Sequence, residues 1–191
     1  MNAHHHPPDR VNAQQWARSL FARPNFYVID TETTGVGKRD EVIQIGIMDK
    51  DGTTVMDTLV KPTRPCSAGA TNVHGITNRM LETAPDFFDV YMHVSKIIAG
   101  APLIAYNMDF DWRLLQQSVD SRKLPMFRVG ERSCAMKMYA QFRGVWNGKF
   151  GSYRWHKLGQ AAAYEGIRVK DAHNALGDVR MTLALLRKMA D

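Results

Sequence analysis

The alternation of apolar and polar positions sorts most of the chain into short elements. Phe26 to Ile29 form a compact, partly β-branched apolar run of the kind that sits in a buried strand. It ends in two carboxylates, Asp30 and Glu32, with Thr33, Thr34 and Gly35 opening a turn. Glu41 to Met48 alternate loosely through Val42, Ile43, Ile45 and Ile47, which predicts a second strand. Asp51-Gly52 is a hairpin dipeptide, and Thr53 to Val60 read as the third strand of an antiparallel meander. Pro102 to Tyr106 is a fourth, buried strand, and Ser133 to Ala135 a short fifth.

Helical spacing marks the rest. Asn12 is a cap for a helix through Arg23, with Trp16, Leu20 and Phe21 on its apolar stripe. Lys61 to Ala70 reads as a loop, and Thr77 caps one short turn. Thr83 and Asp86 resemble a capping box ahead of Phe87, Tyr91, Val94 and Ile98, with Gly100 ending that helix. Further helices are predicted over Asp109 to Val119, after the fifth strand through Ala140, over His156 to Tyr164 with Gly166 as its C-cap, and over Asn174 to Met189. The last carries the stripe Leu176, Val179, Leu183, Leu186 and Ala190. Three meander strands followed by strands alternating with helices predict an α/β fold, a mixed five-stranded sheet flanked by helices. One domain is expected over residues 12–191, after a disordered tail over residues 1–11 that includes His4, His5 and His6.

Composition narrows the function. With 45% hydrophobic and 23% charged residues in 191, the chain can bury a core without disulfides or structural metals. Cys66 and Cys134 have no metal-ligand spacing and read as reduced, packed thiols, which suits the cytoplasm. No apolar run is long enough to span a membrane. A formal charge of +6 suits a polyanionic partner.

Within this basic chain sit acidic sites. Asp30 and Glu32, two apart on a strand, face the same side, and like charges side by side at a buried strand end favour a cation between them. Oxygen-only ligands favour Mg²⁺ or Mn²⁺ over zinc. Alone, the same residues read equally as a solvated strand end. Asp109 and Asp111 follow the fourth strand, where α/β folds bind ligands, and two residues apart on a helix they cannot face the same way. Asp111 is the expected inward one. Asp178 shares a helical row with Thr182 and Leu185 and points along the sheet. For His173 to reach the same site, it must lie on the loop before the last helix.

Asp30-x-Glu32-Thr33-Thr34-Gly35, then Asn107-x-x-Phe110-Asp111, then His173-x-Ala175-x-x-Asp178 together resemble the DEDDh exonucleases, the superfamily of the epsilon proofreading subunit, ribonuclease T and exonuclease X. Val73-His74-Gly75-Ile76-Thr77 matches a further motif of the proofreading type, while Tyr106 stands where that type has histidine. The resemblance implies a ribonuclease-H-like fold and 3′→5′ exonuclease chemistry releasing 5′-mononucleotides. It implies two Mg²⁺ or Mn²⁺ ions on Asp30, Glu32, Asp111 and Asp178, and His173 as general base. Thr33, Thr34, Gly35, His74, Asn107 and Phe110 are expected to contact the substrate. That substrate is expected to be single-stranded nucleic acid, DNA rather than RNA. No segment suggests tethering to a polymerase partner. The alternatives are an RNA or short-oligonucleotide exonuclease and a binding module with idle catalysis. Arg143, Lys149 and Arg154, interleaved with Trp146, Phe150, Tyr153 and Trp155, have the composition of a strand-binding loop or of a surface loop whose tryptophans pack on the core.

Overall fold

The computed structural model describes residues 7–168 and 174–191. Helix α1 (Pro7–Phe21) leads into strand β1 (Tyr27–Thr33), followed by β2 (Val42–Asp49) and β3 (Thr54–Leu59). Asp49 caps the β2–β3 turn, its Oδ1 accepting from the N–H groups of Asp51, Gly52 and Thr53 at 2.8–3.0 Å. Gly52 there has a φ of 97°, which suits glycine alone among common residues. Two short helices follow, α2 (Ala68–His74) and α3 (Asn78–Leu81), then α4 (Phe87–Ile97). Strand β4 (Leu103–Ala105), α5 (Met108–Asp120), β5 (Arg132–Cys134) and α6 (Ala135–Arg143) complete the sheet. A hairpin of β6 (Trp146–Asn147) and β7 (Ser152–Tyr153) precedes α7 (Leu158–Tyr164) and α8 (Ala175–Ala190).

The main sheet has the order β3-β2-β1-β4-β5, with β1–β2 and β2–β3 antiparallel and β1–β4 and β4–β5 parallel. This is the mixed five-stranded sheet expected. Alternation along β1 divides the core in two: Val28 packs with α1, α6 and α8, whereas Ile29 packs with α4 and α5 on the opposite face. Strand β2 is buried on both faces, which explains its nearly unbroken apolar run.

Several boundaries differ from those expected. Helix α1 starts at Pro7 and takes in residues 7–11, assigned above to a tail; proline is tolerated in a first helical turn, so the dipeptide opens the helix. Strand β1 runs through both carboxylates to Thr33 instead of ending at them. Ser67 caps α2 inside the segment expected to be a loop, its Oγ accepting from Ala70 N–H at 3.1 Å. Helix α4 is capped by Asp86, whose Oδ1 accepts from Phe88 N–H, without Thr83.

Candidate active site

The parallel pair β1–β4 is short, with Tyr27 opposite Leu103 and Val28 opposite Ile104. Strand β4 stops at Ala105 and turns into α5, so β1, still paired with β2, extends beyond it with its other edge open. The open edge of β1 then needs a new partner. Asp111, in the first turn of α5, supplies it: Oδ1 accepts from the Thr31 N–H at 3.0 Å and from the Thr31 hydroxyl at 2.9 Å. A carboxylate thus replaces the missing strand, and Asp111 is buried to 3% exposure. Asp109 points away, exposed, and pairs with Lys137 at 2.6 Å.

Asp178 arrives from the other face of the sheet. Asp30 lies directly opposite Gly46 on β2, and the backbone of α8 crosses at that glycine. A Cβ on Gly46 would meet Ala175 C and Leu176 N at 2.8 Å, so only glycine lets the helix start so close to the strand. Gln44, opposite Glu32, accepts from Ala175 N–H at 3.3 Å through Oε1 and donates to Asp57 Oδ1 at 3.0 Å. Asn174 caps α8 by accepting from Leu176 and Gly177 N–H. Neither Gly46 nor Gln44 was singled out from the sequence, although an isolated glycine inside a strand is a signal of close backbone approach.

Carboxylate oxygens of Asp30, Glu32 and Asp178 lie within 4.8 Å of one another, all three partly buried. Burial and mutual repulsion raise the affinity of Asp30, Glu32 and Asp111 for protons. Asp30 is pushed well above the usual carboxylate range by burial, then by Asp111, Asp178 and Glu32. Glu32 is pushed to about 7 by burial, Asp178 and Asp111. Asp111 also rises to about 7, by burial above all, although the Thr31 bonds hold it down. Four acids crowded at a strand end, with only oxygen donors, fit hard divalent cations. His173 lies outside the described residues.

The remaining expected residues divide between two hollows. A cleft of 340 Å³ on the Glu32 side is lined by Thr33, Gly35, His74 and Phe110, with Val73 and Ser67. In His74, Nδ1 accepts from Ile76 N–H at 3.0 Å, so its proton sits on Nε2, which donates to Thr33 O at 3.2 Å. Burial lowers its pKa, which keeps it neutral. His74 therefore presents a ring to the cleft, with both nitrogens engaged. Thr34 does not reach the cleft. It is 1% exposed, its hydroxyl donating to Asp40 Oδ1 at 2.8 Å and accepting from Glu41 N–H, because the chain bends just past the end of β1 and turns it toward the loop before β2. Asn107 lines a second groove, of 460 Å³, on the Asp178 side. Tyr106 is buried beside it and donates from its hydroxyl to His156 O at 2.6 Å.

Residues 27–186 match the exonuclease family RNase_T. An uncharacterized exonuclease, CP81 of Escherichia phage 186, is 43% identical over 168 residues, which span 85% of this chain and 86% of that protein. The DNA polymerase III epsilon subunit of Treponema pallidum is 28% identical over 91% of this chain and 80% of its own. Among solved structures, E. coli exonuclease I in complex with a dT13 oligonucleotide superposes on 85% of the chain with a TM-score of 0.69 at 17% identity. Exonuclease I of Methylocaldum szegediense gives 0.72 over 86% at 21% identity. The matched part spans 40% of each exonuclease I chain.

Proposed function

The chain belongs to the exonuclease family that its residues 27–186 match, and from that premise we propose that it removes 5′-mononucleotides from the 3′ ends of single-stranded DNA with the help of two Mg²⁺ or Mn²⁺ ions. The observation that carries this reading is the convergence of Asp30, Glu32 and Asp178 within 4.8 Å, beside the buried Asp111. These acids would hold the ions, which when bound supply charge to stabilise the attacking and leaving oxygens of an in-line phosphoryl displacement.

The chain's own groups do the rest. Phe110 and the neutral ring of His74 offer the 340 Å³ cleft two aromatic surfaces, suited to a terminal base held by stacking. The backbone of Thr33 and Gly35 borders the same cleft and positions the sugar–phosphate end. His173, five residues before Asp178 in sequence, takes the proton from the attacking water. The formal charge of +6 attracts the strand while the acids repel it until cations neutralise them, which makes activity conditional on the ions.

A 5′-labelled DNA single strand incubated with Mg²⁺ should yield a ladder shortened from the 3′ end, and Asp30→Ala or Asp111→Ala should abolish it. A mobility shift without a ladder would refute the reading. A matched RNA strand degraded faster than the DNA would overturn the substrate preference.

A further inference from the structure

The acid cluster lies between the two hollows: Glu32 lines the cleft and Asp178 lines the groove. A strand whose last nucleotide occupies the cleft therefore has its next phosphodiester at the acids and leaves on the Asp178 side. The groove there is bordered by Tyr106, Asn107, Met181, Lys157 and Trp155, and Trp155 is 60% exposed. From Trp155 the chain runs back into the β6–β7 hairpin, whose tip carries Phe150 at 70% exposure beneath the Lys149 ammonium, 5.5 Å from the ring centre.

The hairpin is anchored through groups other than the Phe150 and Trp155 rings. Tyr153 donates from its hydroxyl to Asp9 of α1 at 2.5 Å and stands edge-on to Trp146, with ring centres 5.3 Å apart. Arg143 lies over the Tyr164 ring at 4.8 Å, and Arg154 N–H donates to Val145 O at 2.8 Å. The Tyr106 hydroxyl holds the His156 carbonyl, fixing the segment between hairpin and groove. Phe150 and Trp155 are thus presented to water by a braced scaffold, a preorganised display of aromatic area. Among the described residues Lys149, Arg154 and Lys157 form no ion pair, and Asp178 is the only acid lining the groove.

We propose that the groove and the hairpin form the track for nucleotides upstream of the 3′ end, resting on the exonuclease reading above. Trp155 stacks on a base inside the groove, Phe150 on a base farther out, and Lys149, Arg154 and Lys157 face the phosphates. Aromatic faces interleaved with unpaired cations are the chemistry of sequence-tolerant single-strand binding.

Anisotropy of a fluorescein-labelled thymidylate dodecamer with phosphorothioate linkages at its 3′ end, in Mg²⁺, reads binding with turnover suppressed. Trp155→Ala and Phe150→Ala should each weaken it roughly 5- to 100-fold, and Trp155→Phe should recover most of the loss. Lys149→Ala with Arg154→Ala should flatten the slope of log K against log salt by about 1.4, at about 0.7 per phosphate contact. Phe150→Ala and the Lys149→Ala, Arg154→Ala pair should hydrolyse the p-nitrophenyl ester of thymidine 5′-monophosphate at the wild-type rate, because that substrate spans the cleft and the near end of the groove and stops short of the hairpin tip. Unchanged affinity and salt slope would overturn the track and leave the hairpin as a docking surface for a protein. Failure of the wild-type chain to hydrolyse the ester or any oligonucleotide would instead sink the exonuclease reading, while the binding arm still decides the track.

Discussion

Replacing Glu32 by glutamine should stabilise the ion-free protein while destroying its activity. Glu32 has a pKa of about 7 in the fold against 4.5 ordinarily, because burial and the charges of Asp178 and Asp111 oppose its ionisation. The folded chain holds that proton more tightly than the unfolded chain does. Stability is therefore unpenalised below about pH 4.5, falls as pH rises toward about 7, and stays low above it. The gap between the two pKa values corresponds to roughly 3 kcal/mol. Glu32→Gln removes the charge and with it this penalty, so in EDTA near pH 8 the variant should melt roughly 6–12 °C higher for a chain of this size. Toward about pH 4.5 the two melting curves should converge. Magnesium should reverse the order, since only the wild type gains fully from ions that bind the folded state. Thermal melts across pH, with EDTA and with magnesium, read all of this. A variant that melts no higher than wild type near pH 8 in EDTA would show that the acids do not strain the fold.

Gly46→Ala tests the seat of α8. Its Cβ would have to move from 2.8 Å to the 3.4 Å of ordinary contact with helix backbone, displacing Asp178 with it. A stability loss of roughly 1–3 kcal/mol is expected, with a Mg²⁺ midpoint for activity raised about tenfold or more; an unshifted midpoint would mean the seat is not limiting. His173→Ala should lose roughly 10²–10⁴ in single-turnover rate while keeping Mg²⁺-dependent strand binding. The wild-type rate should rise with pH through the histidine range, and a mutant near wild-type rate would assign the base elsewhere.

The sequence exposed those parts of the fold whose signals are local and periodic. Alternation through Val42, Ile45 and Ile47 and the Asp51-Gly52 dipeptide marked the meander, and helical angle set Asp109 and Asp111 on different faces, of which the buried one is Asp111, as expected. Helix α2 escaped because none of its residues is buried, so it has no apolar stripe to read. The β6–β7 hairpin escaped because two-residue strands are too short to alternate. Thr34 was placed at the substrate by adjacency to the acids, but it lies in the bend just past β1, where its hydroxyl is taken up by Asp40 and Glu41. Gly46 and Gln44 act through a helix more than a hundred residues away in sequence. A contact of that kind leaves no periodic trace.

The bond from Thr31 to Asp111 bears on which ion the site accepts in a cell that offers several. Asp111 Oδ1 already receives two hydrogen bonds, at 3.0 and 2.9 Å, so this carboxylate has one oxygen left to give. Calcium gathers six to eight oxygens and favours carboxylates that bind through both, whereas magnesium takes six at short range and keeps several waters among them. A buried acid with one oxygen committed to Thr31 would offer an ion one-oxygen binding, which suits magnesium better than calcium. If the acids hold the ions as proposed, the same threonine that closes the open edge of β1 would also tilt the site toward magnesium.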